Sequence, residues 1–316
     1  MVRWPSLGLN CGPSPCPVCV RLDDEVGDMP SLSPITILGD LAFIAKSKKL
    51  PVEWSQPQDK DCDKKTIYNA ATSASEKAGI PTPMCYFFAA STNKYHTETA
   101  KKIGGQYKDF VHEAINKTKM AVDMWRLQAK FKDLKIMSVS AIGTPGCLDG
   151  PKLKDCYVGW VGTNKNENAY IKAVKEGIGD CWEAWQKQVM VPGLPWYPAF
   201  AAFPLATAPP MPNVPMPLIT CPSAQMAKMT VPMQLRDAMV GKLDGGVKKK
   251  DKDKHHVAAF EAIGTVIALA FLMWLPQQQV MLVMGKGPVP TYAPPYVPVG
   301  PVVGGDNIAA PGHLAV

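Results

Sequence analysis

Apolar positions follow helical repeats up to about residue 190. Beyond it, one long apolar segment sits among prolines. Ser33 and Pro34 suit an N-cap and first helical position, and Ile37, Leu41, Ile44 and Ala45 repeat at helical spacing to about Lys49, where Pro51 stops the helix. A short helix is predicted from Thr66 to Lys77, ended by Gly79 and Pro81, and Met84–Ala90 is a compact apolar run open to either helix or strand. From His96 to Phe131 a stripe through Ile103, Tyr107, Phe110, Ala114, Ala121, Trp125 and Phe131 predicts a helix. Gly104 and Gly105 are expected to break it, since two adjacent glycines cost roughly 2 kcal/mol against alanine. Lys135–Ile142 and Tyr157–Val161 read as strands. Asn168–Met190 reads as an amphipathic helix with Tyr170, Ile171, Val174, Ile178, Cys181, Trp182 and Trp185 on one side.

Past Pro192 the register changes. The chain has 31 prolines, about twice the usual share, with 10 between Pro192 and Pro222 and 7 between Pro288 and Pro311. Proline removes a backbone donor, so these stretches are expected to be extended and wound over other surfaces. The first carries Trp196, Tyr197, Phe200 and Phe203; a stiff strap loses little entropy on docking, and its rings supply contact area. The second, with Tyr292 and Tyr296, reads as an extended tail.

Val257–Leu275 is 19 residues with Glu261 as its sole charge. At helical rise it measures about 28 Å, close to a bilayer's hydrocarbon core. A helix apolar all round belongs in a membrane or inside protein. The leading expectation is burial against protein neighbours in an assembly, through Phe260, Phe271 and Trp274. Membrane contact through 257–275, behind the basic flank Lys248–His256, is the alternative, and an ordinary core helix is the third reading. Glu261, Gly264 and the lack of an aromatic belt at the far end argue against the membrane.

Composition narrows the function classes. Hydrophobic residues at 47% and charged residues at 19% fit a globular protein. Of the net charge of +7, +3 comes from interleaved Lys and Asp in 248–254, and no nucleic-acid motif accompanies it, so no nucleic-acid partner is expected. Four prolines within Met1–Cys19 break any export h-region, and synthesis in the cytoplasm without a signal peptide is expected. The cysteine count is nine, so at least one is free, metal-bound or paired between chains.

Motifs for chemistry fail on inspection. Cys11, Cys16 and Cys19 have the C-x4-C-x2-C spacing of iron–sulfur ligands, but Pro13, Pro15 and Pro17 remove the amides such a loop turns towards sulfur. They serve only as weak metal candidates beside disulfides or plain thiols. Asp59, Asp61 and Asp63 open like a calcium loop, yet Lys64 and Ala70 hold the positions of its glycine and glutamate. Gly143–Lys152 lacks the end of a phosphate loop, and His112-Glu113 lacks the second zincin histidine, which is Asn116. The expectation is no catalytic residue, no metal and no cofactor: not an enzyme.

The segments Val191–Phe200, Ala208–Pro217 and Gly285–Pro301 resemble the proline-laced connecting segments of structural proteins from contractile-tailed bacteriophages and related injection systems. The resemblance implies a virion, tail or baseplate component whose partners are copies of itself and other structural proteins of an assembly. The expected architecture is α+β: an irregular Cys/Pro-rich arm over 1–30, and a mainly helical domain over 31–190 with a small β element at 135–161. A strap over 191–222, a short helix over 223–242 and a charged hinge over 243–256 follow. The apolar helix region, 257–284, and an extended tail, 285–316, complete it.

Overall fold

The computed structural model describes Leu32, Gly39 and residues 94–137, 139–196, 210–250, 254–288 and 303–315. The expected helix 66–77, the apolar run 84–90 and most of helix 33–49 lie outside these residues. Gly39 is helical, and Leu32 is buried in the core.

Three long helices carry the core. Helix α1, Lys94–Gln128, runs unbroken through Gly104 and Gly105. Once a helix is nucleated, each further turn needs only propagation, and the turns from Val111 to Trp125 bury Val111, Ala114, Ile115, Ala121, Val122 and Trp125. That burial outweighs the glycine cost. Helix α2, Lys165–Gln186, starts where the Asn164 side chain accepts from the Glu167 N–H at 2.9 Å, while the Glu167 carboxylate accepts from the Thr163 N–H and hydroxyl at 2.7 Å.

A shorter helix, α3, spans Ala227–Thr230, and α4, Pro232–Lys242, begins with proline in its first turn. The expected hinge includes helix α5, Gly245–Lys250, and ends at Lys254, which is left-handed (φ 59°) before the apolar helix α6, His255–Gln277.

Aromatic contacts fix the direction of the long helices. Phe110 of α1 meets Tyr170 of α2, which meets Phe260 of α6. Further along, Trp125 of α1 meets Trp182 and Trp185 of α2, and both of these meet Phe271 and Trp274 of α6. The three helices therefore run the same way. Helix α4 lies across α2 and α6 at two glycines: a Cβ on Gly177 would stand 2.7 Å from the Met239 Cα, and one on Gly264 2.9 Å from the Pro232 carbonyl oxygen. Glu261, the lone charge in the apolar segment, faces Arg236 of α4 at 3.8 Å.

Three antiparallel sheets flank the helices. Strands β1 (Lys130–Phe131) and β4 (Leu148–Asp149) make a two-stranded ribbon. β2 (Lys135–Met137), β3 (Ser140–Gly143), β5 (Val191–Pro195), β6 (Met211–Pro212), β9 (Met284–Lys286) and β10 (Val303–Asn307) form a six-stranded sheet in the order β5-β3-β2-β10-β9-β6. Its proline-bearing strands, β5 and β6, are both at edges, where a missing donor is tolerated. The edges meet at a Trp196–Asn213 bridge, and the sheet curls into a half-barrel. β7 (Met216–Pro217), β8 (Gln279–Val280) and β11 (Leu314–Ala315) form the third sheet.

The described residues are thus mixed α and β, with a half-barrel sheet and one apolar helix. Several expectations need correction. Tyr157–Val161 is not a strand: after a short 3-10 turn, Leu153–Cys156, it turns so that Tyr157 and Trp160 are buried while Val158 and Val161 face out. The run pairs with no strand among the described residues, and its buried positions are three apart rather than two.

Within the expected extended tail, residues 303–315 are built into two sheets. Strand β10 lies inside the six-stranded sheet between β2 and β9, and β11 pairs with β8. The Asn307 side chain accepts from the Leu134 N–H at 2.9 Å and donates to the Phe131 carbonyl at 2.8 Å. Asn213 likewise ties the former strap to the β8–β9 connection, donating to the Val280 carbonyl and accepting from the Val283 N–H.

Candidate functional site

Of the nine aromatics expected to dock on a partner, four are described, and all four are inside the chain's own core. Trp196 is 4% exposed, and its ring lies against Gly285 within the half-barrel, with its indole N–H donating to the Met211 carbonyl at 3.1 Å. Phe260, Phe271 and Trp274 are 0–1% exposed and pack on Tyr170, Trp182 and Trp185. The side chains expected to meet a partner here meet α2 of the same chain, and α1, α2 and α4 cover most of the apolar helix. Tyr197, Phe200, Phe203, Tyr292 and Tyr296, with Cys11, Cys16 and Cys19, lie outside the described residues.

Large apolar side chains face solvent at several places among the described residues, including Met137, Val139 and Ile142 around β2 and β3, Val158 and Val161 in the turn before α2, and two of the core-forming helices. On α1, Met120, Met124 and Leu127 are 54%, 40% and 62% exposed, flanked by exposed Asn116 and Gln128. On α6, Leu269, Leu272 and Met273 are exposed at its C-terminal half. Beside the α1 stripe, Asp123 has a buried carboxylate oxygen without a hydrogen bond. Partial burial holds its carboxyl above the usual range, against the pull of Arg126 and Lys119. Periodicity had assigned α1 only an inward stripe. Met124, which helical spacing sets beside Trp125 on the inward stripe, faces outward instead.

A cleft of about 490 Å³ opens between α1 and the start of α2. Tyr107, Phe110 and Tyr170 line it, with Asp109, Glu113 and Glu167 at its mouth. Glu167 is engaged in the α2 cap, and the Thr163 hydroxyl and amide hold its carboxyl below the usual range. The acidic groups favour cations, and aromatic rings suit the apolar body of one.

The cysteines among the described residues are inert. Cys147, Cys156, Cys181 and Cys221 are free and buried. Burial pushes the thiols of Cys147 and Cys181 up to about 11 and that of Cys221 to about 12, far from the reactive range. No group of three or more His, Cys, Asp or Glu side chains with metal-binding geometry occurs among the described residues.

The most perturbed histidine is structural. His313 is 1% exposed; its Nδ1 accepts from the Phe131 N–H at 2.9 Å, and its Nε2 has no hydrogen-bond partner. That bond assigns the neutral Nε2–H tautomer. Desolvation pulls its pKa down to about 4.

No protein-family model, curated protein or solved structure matches this chain.

Proposed function

We propose that this chain is a non-catalytic structural subunit that joins a multi-protein particle. The observation that carries the reading is the apolar surface on two core-forming helices: Leu269, Leu272 and Met273 on α6, with Met120, Met124 and Leu127 on α1. Clustered large apolar side chains facing water at helical spacing suit contact with another surface. Inert buried thiols and a histidine used to hold a backbone amide agree with a scaffold role.

A virion or contractile-tail component is the finer form of this proposal, and it rests on the proline-laced segments. Their five undescribed aromatics, Tyr197, Phe200, Phe203, Tyr292 and Tyr296, then serve as the contacts to neighbouring subunits.

Gradient fractionation of the producing cells, with the chain followed by mass spectrometry, tests the reading. The chain is expected in a fast-sedimenting particle at a fixed stoichiometry to its other proteins. Recovery only at the top of the gradient would overturn the proposal.

Membrane attachment through 257–275 is the competing reading, favoured by the length and apolarity of α6. Against it, 61% of the most apolar window is buried within the chain. Spanning a bilayer would strip Phe260, Phe271 and Trp274 from their aromatic partners. Extraction from membranes by alkaline carbonate supports the subunit; resistance to it supports the anchor.

A further inference from the structure

The solvent-facing stripe of α1 has an internal symmetry. Asn116, Met120, Met124 and Gln128 follow one another at i+4 intervals, all exposed, so they form one ridge of the kind that interdigitates when two helices pack. Reversed, the ridge reads amide, methionine, methionine, amide again. Its centre falls between Met120 and Met124, at the level of residue 122. Such a ridge is complementary to itself run antiparallel, which a two-fold axis generates: each contact between residues i and j is made twice.

The charges beside the ridge obey the same symmetry. Lys119 and Asp123 sit on one flank of α1, on either side of the centre. Among the described residues neither makes an ion pair as close as 4 Å; Arg126 and Lys119 draw on the half-buried Asp123 carboxylate, whose enclosed oxygen has no hydrogen bond. Lys preceding Asp by four residues is the less favourable order for pairing along a helix. Two antiparallel copies centred on residue 122 put Asp123 of each beside Lys119 of the other.

We infer that α1 is a homodimerisation surface on which a second copy of this chain docks antiparallel. Met120 packs on Met124 of the second copy, and the two symmetry-related Lys119–Asp123 ion pairs close one flank of the seam. The inference deepens the assembly reading by naming one partner and one surface for it. The central stripe holds few large side chains, so a micromolar or weaker dimer is expected, one that a particle would reinforce through further contacts.

Sedimentation of the purified full-length chain, from about 1 to 100 µM, tests it. The wild type is expected to pass from monomer to dimer, and Met120→Glu with Met124→Glu to remain monomeric with an unchanged circular dichroism spectrum. Asp123→Lys should raise the dimer dissociation constant at least tenfold, and Lys119→Asp added to it should restore association. A wild-type monomer across the range, a dimer indifferent to the methionine changes, or a charge swap without rescue would each overturn the surface. A chain monomeric alone yet stoichiometric in a particle would remove this surface and leave the assembly reading intact.

Discussion

Lowering pH should loosen the C-terminal segment through one side chain, His313. In the folded protein its ring is buried at 1% exposure and pulled down to about 4, because the cationic form would be desolvated without a counter-charge. In the unfolded chain it titrates near 6.5. Between those values the unfolded state binds a proton that the folded state does not, so stability falls as pH drops from about 6.5 to about 4 and levels off below. At roughly 1.4 kcal/mol per pH unit the gap sets an upper bound of about 3 kcal/mol. The loss has a local face as well. A protonated Nδ1 cannot accept from the Phe131 N–H, and the same turn supplies the His313 carbonyl to Met281 and the Gly312 N–H to Ala129.

Urea unfolding of the wild type and of His313→Asn at pH 7.5, 6, 5 and 4 isolates the effect. Asparagine keeps an acceptor near the place of Nδ1 and cannot titrate, although the lost ring volume costs it about 1–3 kcal/mol at every pH. Carboxylates and the other histidines titrate in both proteins and cancel in the difference. The wild type should therefore lose about 2–3 kcal/mol more than the variant between pH 7 and 4, and Phe131 amide protection should fall in the wild type alone. Parallel stability curves for the two proteins would refute the reasoning.

Three further outcomes follow from the packing. Gly285→Ala should cost about 1–3 kcal/mol, since its Cβ would press on Ile136 and lie 2.7 Å from the Trp196 ring; a midpoint shift in urea unfolding measures it. Trp182→Ala should cost about 3–5 kcal/mol by thermal unfolding, because that ring joins α1 and α6 through Trp125, Phe271 and Trp274. Asn307→Ala should cost about 1–3 kcal/mol, leaving the Leu134 N–H and the Phe131 carbonyl without their side-chain partner, and hydrogen exchange at Leu134 should report it.

How much of this was legible depended on whether the information was local. Helix α2 was readable because its cap residues and its inward stripe, Ile171 to Trp185, lie within one segment. Asn164 and Glu167 mark its start, one turn earlier than periodicity alone placed it. Strand β10 was not readable. Val303–Asn307 contains two glycines and no apolar alternation, and it is a strand only because β2 and β9, distant in sequence, supply partners on both sides. Trp196 stood out in the sequence as an exposed anchor, yet here it is buried against Gly285 and donates to the Met211 carbonyl, neighbours that no local pattern connects to it. The α1 ridge shows the opposite case. Its spacing was present in the sequence, yet only exposure separates Met120 and Met124 from the buried Ala121 and Trp125 beside them.

The apolar segment carries the same lesson into function. Hydropathy equates a helix that faces lipid, one that faces a partner and one enclosed by its own chain, since each excludes water from every side. What separates them is the rest of the chain. Here Gly177 and Gly264 let α4 approach closely enough to cover one side, and Arg236 answers the single carboxylate, Glu261. The aromatic side chains of α2 cover another. The enclosure opens along one side of the C-terminal end of α6, where Leu269, Leu272, Met273, Pro276 and Gln277 are exposed. A purely internal helix would have polar residues at those positions, and a membrane span would have apolar exposure along its whole length. Local exposure, confined to the C-terminal end of the helix, is the pattern of a helix that builds its own core and also lends part of one face to a neighbour.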